Sequence, residues 1–496
     1  MSSVRRSRSL RAALLGAAAC AALGVGAFES ALLPVYAAAA PASEIAPQPA
    51  AGPASFADIV DRVKPAVVSV KVKLTDVSPA DEEDLPDLSP NSPFYHFFRH
   101  FGLPDRGDGA TPRHRSSMAQ GSGFFITSDG FIVTNNHVVD HATEVTITTA
   151  DAKTMPAKVI GADSKTDLAL LKAQGSDFPF VTFAAQPPRV GDWVIAVGNP
   201  FGLGGTVTAG IVSARGRDIG SGPYDDFLQI DAPVNHGNSG GPTFNAQGEV
   251  VGVNTAIFSP SGGSVGIGFA ITSDVVKNVV QQLKENGAVT RGWIGVEIQP
   301  VTPDIAEDLG LKSASGALVA QTTKNSPAET AGVKSGDVIT AVDGETVADP
   351  HDLARRIAAL GPKKTATLAV IRNGSPMAIS VTLATMPADK TAGAETGSTE
   401  NGRGDTGNSA LAKLGLTLRR SSDGVVVTEV DPDSAAADNG LKEGDVILEV
   451  AGKTVSRPSE VAQAIDAAKG DGKKSVLVRV KSDNGEHFVA LPTRAS

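Results

Sequence analysis

Residues 237–242 read Gly237-Asn238-Ser239-Gly240-Gly241-Pro242, a serine enclosed by small residues. A serine hydroxyl is a weak nucleophile at neutral pH unless a base lies within hydrogen-bond reach. Attack on a carbonyl also needs backbone N–H donors aimed at the oxygen that becomes negative. The glycines allow a sharp turn that would point the N–H groups of Gly237 and Ser239, with Asn238 between them, into one oxyanion hole. Taken alone, the hexapeptide is equally compatible with a glycine-rich hairpin between strands.

Two upstream segments supply the partners that such a serine needs. His137 follows the apolar run 131–133, and Asp167 stands at the start of the apolar segment 168–171. Histidine, aspartate and serine in that chain order are typical of chymotrypsin-like enzymes and differ from the order in subtilisins and α/β-hydrolases. We therefore predict that Ser239 is the nucleophile, that His137 is its general base, and that Asp167 orients the imidazole.

The sequence around these residues resembles the Do-like HtrA/DegP serine proteases of the bacterial cell envelope. The resemblance rests on the segments 121–124, 134–139, 166–169 and 231–242. It implies an ATP-independent endopeptidase that degrades unfolded or damaged envelope proteins as a homo-oligomer built from trimers, with a chaperone activity beside it. His236 departs from the family pattern, which has proline or a basic or polar residue there.

Composition narrows the class of protein. The chain has 496 residues, of which 41% are hydrophobic and 20% charged, as expected for a globular protein of about two to four domains. Its formal net charge of −10 argues against a nucleic-acid partner, because phosphate binding needs a basic surface.

Residues 1–40 have the pattern of an export signal. Four arginines between residues 5 and 11 precede an apolar stretch over 12–28, and alanine-rich cleavage options follow at 37–40. A membrane anchor is the alternative, but the apolar run is short for a span of about 20 residues. We expect a cleaved signal peptide, a periplasmic location and at most peripheral membrane association. Cys20, the one cysteine, lies in this segment, so the mature chain has no disulfide framework.

Short β runs punctuated by glycine extend from residue 66 to 271 and indicate a mainly β protease domain over residues 66–287. Together with the order of the three catalytic candidates, they predict a chymotrypsin-like double β-barrel with the site in its cleft. A helix that Ser273 caps and Gly287 ends is expected to close this domain. Residues 41–65 are expected to form an N-terminal spacer leading into it.

A long insertion over residues 75–120 does not have a barrel pattern. It is acidic at first and then aromatic, and a long loop in a compact domain is usually functional or disordered. The resemblance implies that such a loop reaches a neighbouring subunit. We expect this contact to use four aromatic residues, Phe94, Phe97, Phe98 and Phe101.

The C-terminal half contains an internal repeat, in which residues 325–339 recur as 433–447. The copies resemble two small α+β PDZ domains, over 288–386 and 409–496, with a flexible linker over 387–408. PDZ domains bind an extended peptide as an added strand and hold its terminal carboxylate with backbone N–H groups. The carboxylate loops are expected at Trp293-Ile294-Gly295-Val296 and Leu414-Gly415-Leu416. Alternatively, the second copy only packs subunits together.

Other chemistry has weaker support in the sequence. His137 and His141 have a spacing that can bind zinc on a helix, but no third ligand is evident, and the glycine-rich segment 202–205 lacks the lysine of a phosphate loop. We expect neither a metal nor another cofactor.

Two function classes remain, an endopeptidase and a holding chaperone or scaffold, with a narrow regulatory protease as a variant of the first. Three catalytic residues retained together favour the endopeptidase, and two PDZ copies favour broad quality control over narrow regulation.

The pocket beside Ser239 is expected to be formed by residues 234–236 and 257–269, which are mostly small or aliphatic. It predicts cleavage after valine, alanine or similar residues.

Overall fold

The computed structural model describes residues 55–74, 118–202, 204–235, 237–259, 263–387, 414–482 and 485–493. The predictions for the signal peptide, for the aromatic residues of the insertion and for His236 lie outside these ranges. So do those for residues 41–54 of the spacer and 388–408 of the linker. Within the ranges that are described, no helix is both long enough and apolar enough to cross a membrane.

The first barrel follows a short helical segment. Helix α1 (Ala57–Val63) leads through a 3₁₀ turn (Lys64–Ala66) into the barrel, and Phe56 stacks obliquely on Trp193, with ring centroids 5.5 Å apart. Six strands close the barrel in the order β1-β2-β3-β6-β5-β4. Their bounds are β1 (Val67–Leu74), β2 (Met118–Phe125), β3 (Phe131–Thr134), β4 (Ala142–Thr148), β5 (Thr154–Asp163) and β6 (Leu168–Ala173). One turn of helix, α2 (Asn136–Val139), follows β3.

The second barrel also has six strands, in the order β10-β11-β12-β9-β8-β7. Their bounds are β7 (Trp193–Gly198), β8 (Thr206–Arg217), β9 (Phe227–Ile230), β10 (Pro242–Phe244), β11 (Val250–Ile257) and β12 (Gly268–Thr272). Every residue of β11 is buried, and a 3₁₀ turn (Pro200–Gly202) follows β7. The two closed barrels confirm the predicted fold class.

Helix α3 (Ser273–Asn286) closes this part of the chain, as expected. It buries an apolar stripe that includes Val276 and Leu283, and it ends at Gly287, whose φ of 73° suits a residue without a Cβ. The predicted cap was wrong by one residue. Thr272 still has the extended backbone of β12 and occupies the cap position, so Ser273 is the first helical residue.

Two modules of the same topology follow, which agrees with the internal repeat. In the first, the strand order is β14-β15-β16-β18-β19, and in the second it is β21-β22-β23-β25-β26. The first contains β13 (Gly292–Trp293), β14 (Val296–Pro300), α4 (Pro303–Asp308), β15 (Ala317–Thr322), α5 (Pro327–Ala331), β16 (Val338–Val342), β17 (Glu345–Thr346), α6 (Pro350–Leu360), β18 (Thr365–Arg372), β19 (Ser375–Thr382) and β20 (Ala384–Thr385). The second contains β21 (Leu416–Arg420), β22 (Val425–Val430), α7 (Ala435–Asp438), β23 (Val446–Val450), β24 (Lys453–Thr454), α8 (Pro458–Gly470), β25 (Ser475–Ser482) and β26 (Gly485–Pro492).

Polar contacts connect the first module to the barrels. Arg291 makes a buried two-bond ion pair with Asp163 at the end of β5, at 2.8 and 2.6 Å, and its guanidinium lies over the ring of Tyr224. The Tyr224 hydroxyl in turn lies 3.1 Å from the sulfur of Met386. The barrels and the first module therefore share a partly buried contact surface.

Candidate active site

The pairing of β3 with β6 places His137 and Asp167 side by side. Thr134 at the end of β3 lies opposite Ala169 near the start of the antiparallel β6. His137, which follows β3, and Asp167, which precedes β6, therefore lie at the same end of the barrel. His137 lies in α2, and Asp167 adopts the left-handed backbone conformation, with φ of 53°.

Hydrogen bonds fix the orientation of the imidazole. His137 Nδ1 lies 2.7 Å from Asp167 Oδ2, and the His137 backbone N–H donates to Asp167 Oδ1 at 2.9 Å. Because an ionised carboxylate only accepts, Nδ1 carries the proton and Nε2 is left as the basic nitrogen. The Asp167 carbonyl accepts from the Asn135 side chain at 2.8 Å and from the Asn136 N–H at 3.1 Å, which holds the turn of Asp167 in place.

Thr255 in β11 connects the aspartate to the serine. Its hydroxyl donates to Asp167 Oδ2 at 2.6 Å, and its carbonyl oxygen accepts from Ser239 Oγ at 3.4 Å. The structure therefore brings His137 and Asp167 into direct contact and links Ser239 to Asp167 through Thr255. Thr255 was not predicted from the sequence, although a polar pair, Asn254-Thr255, interrupts the apolar run of β11.

The backbone around Ser239 is held on both sides by other segments. Its carbonyl accepts from the Ser122 N–H at 2.8 Å, and the Gly240 N–H donates to the Asn254 carbonyl at 2.8 Å. Gly240 has φ of 82°, and a Cβ there would collide with the Ser122 carbonyl and the Thr134 hydroxyl. The glycine that follows the serine is therefore required by close packing as well as by backbone conformation.

The predicted oxyanion residues lie on the loop that precedes β10. Gly237 has φ of 93°, and its carbonyl oxygen accepts from the Ser122 hydroxyl at 2.6 Å. Asn238 is buried, and its N–H donates to the Asn235 carbonyl at 3.0 Å. Ser122 was not predicted from the sequence as a residue of this site.

In the first module, the predicted carboxylate loop lies beside an open strand edge. Of its four residues, Ile294 and Gly295 lie between strands. Trp293 is in β13, where it pairs with Ala384 of β20, and Val296 begins β14. Gly295 has φ of 75°, and its carbonyl accepts from the Thr323 N–H at 2.9 Å. Among the strands that the structure describes, β14 pairs with β15 alone, and α6 lies close to β14.

The second module repeats this arrangement. Leu414 and Gly415 precede β21, and Leu416 is the first residue of that strand. Gly415 has φ of 70°, and its carbonyl accepts from the Asp431 N–H at 2.8 Å. The equivalent turn in both modules explains why a glycine recurs before the first strand of each sheet.

In the part of the chain that the structure describes, no group of three or more histidine, cysteine, aspartate or glutamate residues could hold a metal ion.

Comparison with protein families identifies the parts of the chain. The trypsin-like peptidase domain family matches residues 121–253, and two PDZ domain families match residues 292–383 and 426–480. These matches lie within the barrels and within the two C-terminal modules.

Curated relatives match over most of their length. A probable periplasmic serine endoprotease DegP-like from Brucella suis biovar 1 (strain 1330) is 52% identical over 481 residues, 91% of this chain and 92% of the relative. The protein of the same name from Rhizobium meliloti (strain 1021) is 52% identical over 462 residues, 88% of this chain and 92% of the relative.

Solved structures agree with these relatives. The HtrA-type protease AlgW with a tripeptide has a TM-score of 0.56 and 34% identity, over 68% of this chain and 98% of that chain. AlgW with a decapeptide has a TM-score of 0.54 and 36% identity, over 68% of this chain and all of that chain. The protein is accordingly a periplasmic serine endopeptidase. It belongs to the DegP-like family of HtrA-type serine endoproteases, with one trypsin-like peptidase domain and two PDZ domains.

Proposed function

We propose that this endoprotease degrades unfolded or damaged envelope proteins without ATP, with His137, Asp167 and Ser239 as its catalytic triad. The observation that carries the proposal is the 2.7 Å contact between His137 Nδ1 and Asp167 Oδ2, beside a serine that Thr255 links to the same carboxylate. The domain bounds given above, the trimer-based homo-oligomer and a chaperone activity belong to the same proposal and are supported by the family resemblance.

The proposed mechanism follows from the orientation of the imidazole. Ser239 Oγ attacks the scissile carbonyl while His137 Nε2 takes the hydroxyl proton, and the imidazolium then gives that proton to the leaving amine. Asp167 stays ionised throughout and stabilises the imidazolium, with the Thr255 hydroxyl holding the carboxylate in place. The N–H groups of Gly237 and Ser239 stabilise the oxyanion of the tetrahedral intermediate. Water then hydrolyses the acyl-enzyme by the same steps, with His137 again as the base.

The test of this proposal combines active-site labelling with a degradation assay. A fluorophosphonate should label wild-type protein at Ser239, and the enzyme should degrade a permanently unfolded protein without ATP while it spares the folded form. A folded wild-type protein that is not labelled at any pH or temperature tested would favour the scaffold function instead.

We also propose that the first PDZ domain binds the C-terminus of a peptide along β14. Among the described strands β14 pairs with β15 alone, and the loop at Ile294 and Gly295 adjoins it, which supports the proposal because PDZ domains hold the peptide carboxylate with backbone N–H groups of such a loop. The same turn precedes β21, but the proposal for the second PDZ domain rests on that likeness alone.

Peptide binding to the first PDZ domain should depend on the terminal carboxylate. The chain has two tryptophans, so a Trp193→Phe variant leaves Trp293, next to the proposed loop, as the fluorescent reporter. We expect a peptide with a free C-terminus to bind about 10- to 100-fold more tightly than its amide, because hydrogen bonds to a charged group are strong. Equal affinities would contradict carboxylate recognition.

A glycine substitution provides the matched control for this measurement. In Gly295→Ala the new Cβ would collide with Ser326, and peptide binding should be lost. Gly374 has a nearly equal φ of 76° but open space around its Cα, so Gly374→Ala introduces the same backbone strain away from the loop and should retain binding.

Cleavage should follow valine or alanine in preference to a basic residue. Val234 and Ile257 lie in the hydrophobic core, and the segments 234–236 and 257–269 proposed to form the substrate pocket contain no carboxylate. Replacing valine by lysine at the cleavage position of a peptide should lower kcat/KM about 100-fold or more, because the ammonium group would be buried without a partner. The valine-to-alanine peptide is the control, with a loss below about tenfold. A peptide library dominated by basic residues at this position would overturn the prediction.

A further inference from the structure

Strand β2 carries a buried hydroxyl that the mechanism above does not use. Ser122 is fully buried, and each of its polar groups contacts the site. Its N–H donates to the Ser239 carbonyl at 2.8 Å, and its own carbonyl accepts from the Thr134 hydroxyl at 2.7 Å. The backbone of Ser122 therefore already supports the nucleophile, and its side chain makes two further contacts.

The hydroxyl joins two segments of the second barrel. Ser122 Oγ donates to the Gly237 carbonyl at 2.6 Å and accepts from the Asn199 N–H at 2.8 Å. Asn199 follows β7, and the residue after it, Pro200, lies so close to Gly237 that a Cβ on that glycine would be 2.7 Å from the proline. One side chain from the first barrel therefore connects two adjacent segments of the second.

We propose that Ser122 is a positioning residue for the oxyanion hole, an inference that rests on the roles proposed above for Gly237 and Ser239. The direction of the Gly237 N–H depends on the backbone torsions of that glycine, and a glycine restricts these torsions little. The hydrogen bond from Ser122 fixes the plane of the peptide that follows Gly237. It thereby supports the glycine at φ of 93°.

Loss of the hydroxyl would leave two buried backbone groups without a partner. Buried unpaired groups are costly, so the loop would relieve that cost by rotating about Gly237. The rotation would turn an N–H donor away from the developing oxyanion. Since preorganised donors act on the transition state far more than on bound substrate, the defect should appear in kcat.

The test compares Ser122→Ala with Thr243→Val. Thr243 is equally buried in the same domain, and its hydroxyl donates one 2.6 Å hydrogen bond to the Asn254 side chain. We expect Ser122→Ala to lower kcat about 10- to 100-fold with KM within about threefold, because losing one oxyanion donor outright costs about 10²–10³. It should weaken binding of a peptidyl boronate, whose tetrahedral adduct with serine needs the same hole, by a similar factor. Thr243→Val should lower Tm but keep kcat within about twofold of the wild type.

Several outcomes would overturn the inference. They are a wild-type kcat in Ser122→Ala, an unchanged boronate affinity, or an equal loss of kcat in Thr243→Val. Ser122→Cys keeps the shape of the side chain with a weaker donor, so it serves if the alanine variant does not fold. Its kcat should fall between those of the wild type and the alanine variant, and a wild-type value would also overturn the inference. A wild-type protein that fluorophosphonate does not label would instead overturn the proposed function, and the inference with it.

Discussion

Ser239→Ala is expected to lower kcat on an unfolded substrate by about a million-fold, as loss of the nucleophile does in other serine proteases. The substitution removes the attacking oxygen, and no other hydroxyl among the contacts described for the triad is placed to replace it. Thr255 Oγ1 donates to Asp167 and so is committed to the carboxylate. The residual rate should approach that of hydrolysis assisted by the oxyanion hole and substrate binding alone.

The same substitution should leave the fold nearly unchanged. Ser239 Oγ makes a long 3.4 Å hydrogen bond to the Thr255 carbonyl, so its removal forfeits little stability. Initial rates and thermal melts of the variant, measured beside Ser335→Ala, would test both parts. Ser335 donates a 2.6 Å hydrogen bond in the first PDZ domain, and its loss should leave turnover unchanged. More than about 1% of wild-type turnover in Ser239→Ala would contradict the assigned nucleophile.

The elements that the sequence predicted are those with a local physical cause. The run over 365–372 alternates in side-chain burial and is a strand over those same residues. The apolar stripe before Gly287 predicted α3 because the helical period and the left-handed glycine are both readable from neighbours in the chain. The helix start was predicted one residue too late, with Ser273 in place of Thr272 as the cap, because the boundary depends on the backbone of Thr272, which the pattern does not determine.

Contacts between segments that are far apart in the sequence could not be predicted from local patterns. Ser122 and Gly237 are separated by 115 positions, and Asp163 and Arg291 by 128, so no periodicity connects either pair. A triad could nevertheless be predicted, because the chain order of its three candidates is shared by enzymes of known geometry. Thr255 had a weaker signal, a polar residue in a buried strand, which is compatible with many structural roles.

Asp167→Asn should lower kcat about 10⁴-fold, and the hydrogen bonds of this site explain why an isosteric change is so costly. Asp167 Oδ2 accepts from His137 Nδ1 and from the Thr255 hydroxyl, and Oδ1 accepts from the His137 N–H. An amide has one accepting oxygen. If that oxygen takes the place of Oδ1, the NH₂ group faces Nδ1 and forces it to accept, so the proton moves to Nε2, where a base is needed. If the amide flips, its NH₂ group takes the place of Oδ1 and faces the backbone N–H of His137, so two donors face each other.

Thr255→Val separates the effect of the carboxylate from that of its support. The variant keeps the acceptor for His137 Nδ1 and removes one of the three hydrogen bonds described above for the Asp167 carboxylate, so we expect a loss of kcat of about tenfold at most. The kcat of both variants over a range of pH, with circular dichroism to confirm folding, provides the measurement. Only Asp167→Asn changes the group that accepts from His137 Nδ1. A loss of kcat in Asp167→Asn no larger than that in Thr255→Val would therefore show that the carboxylate does not set the tautomer of His137.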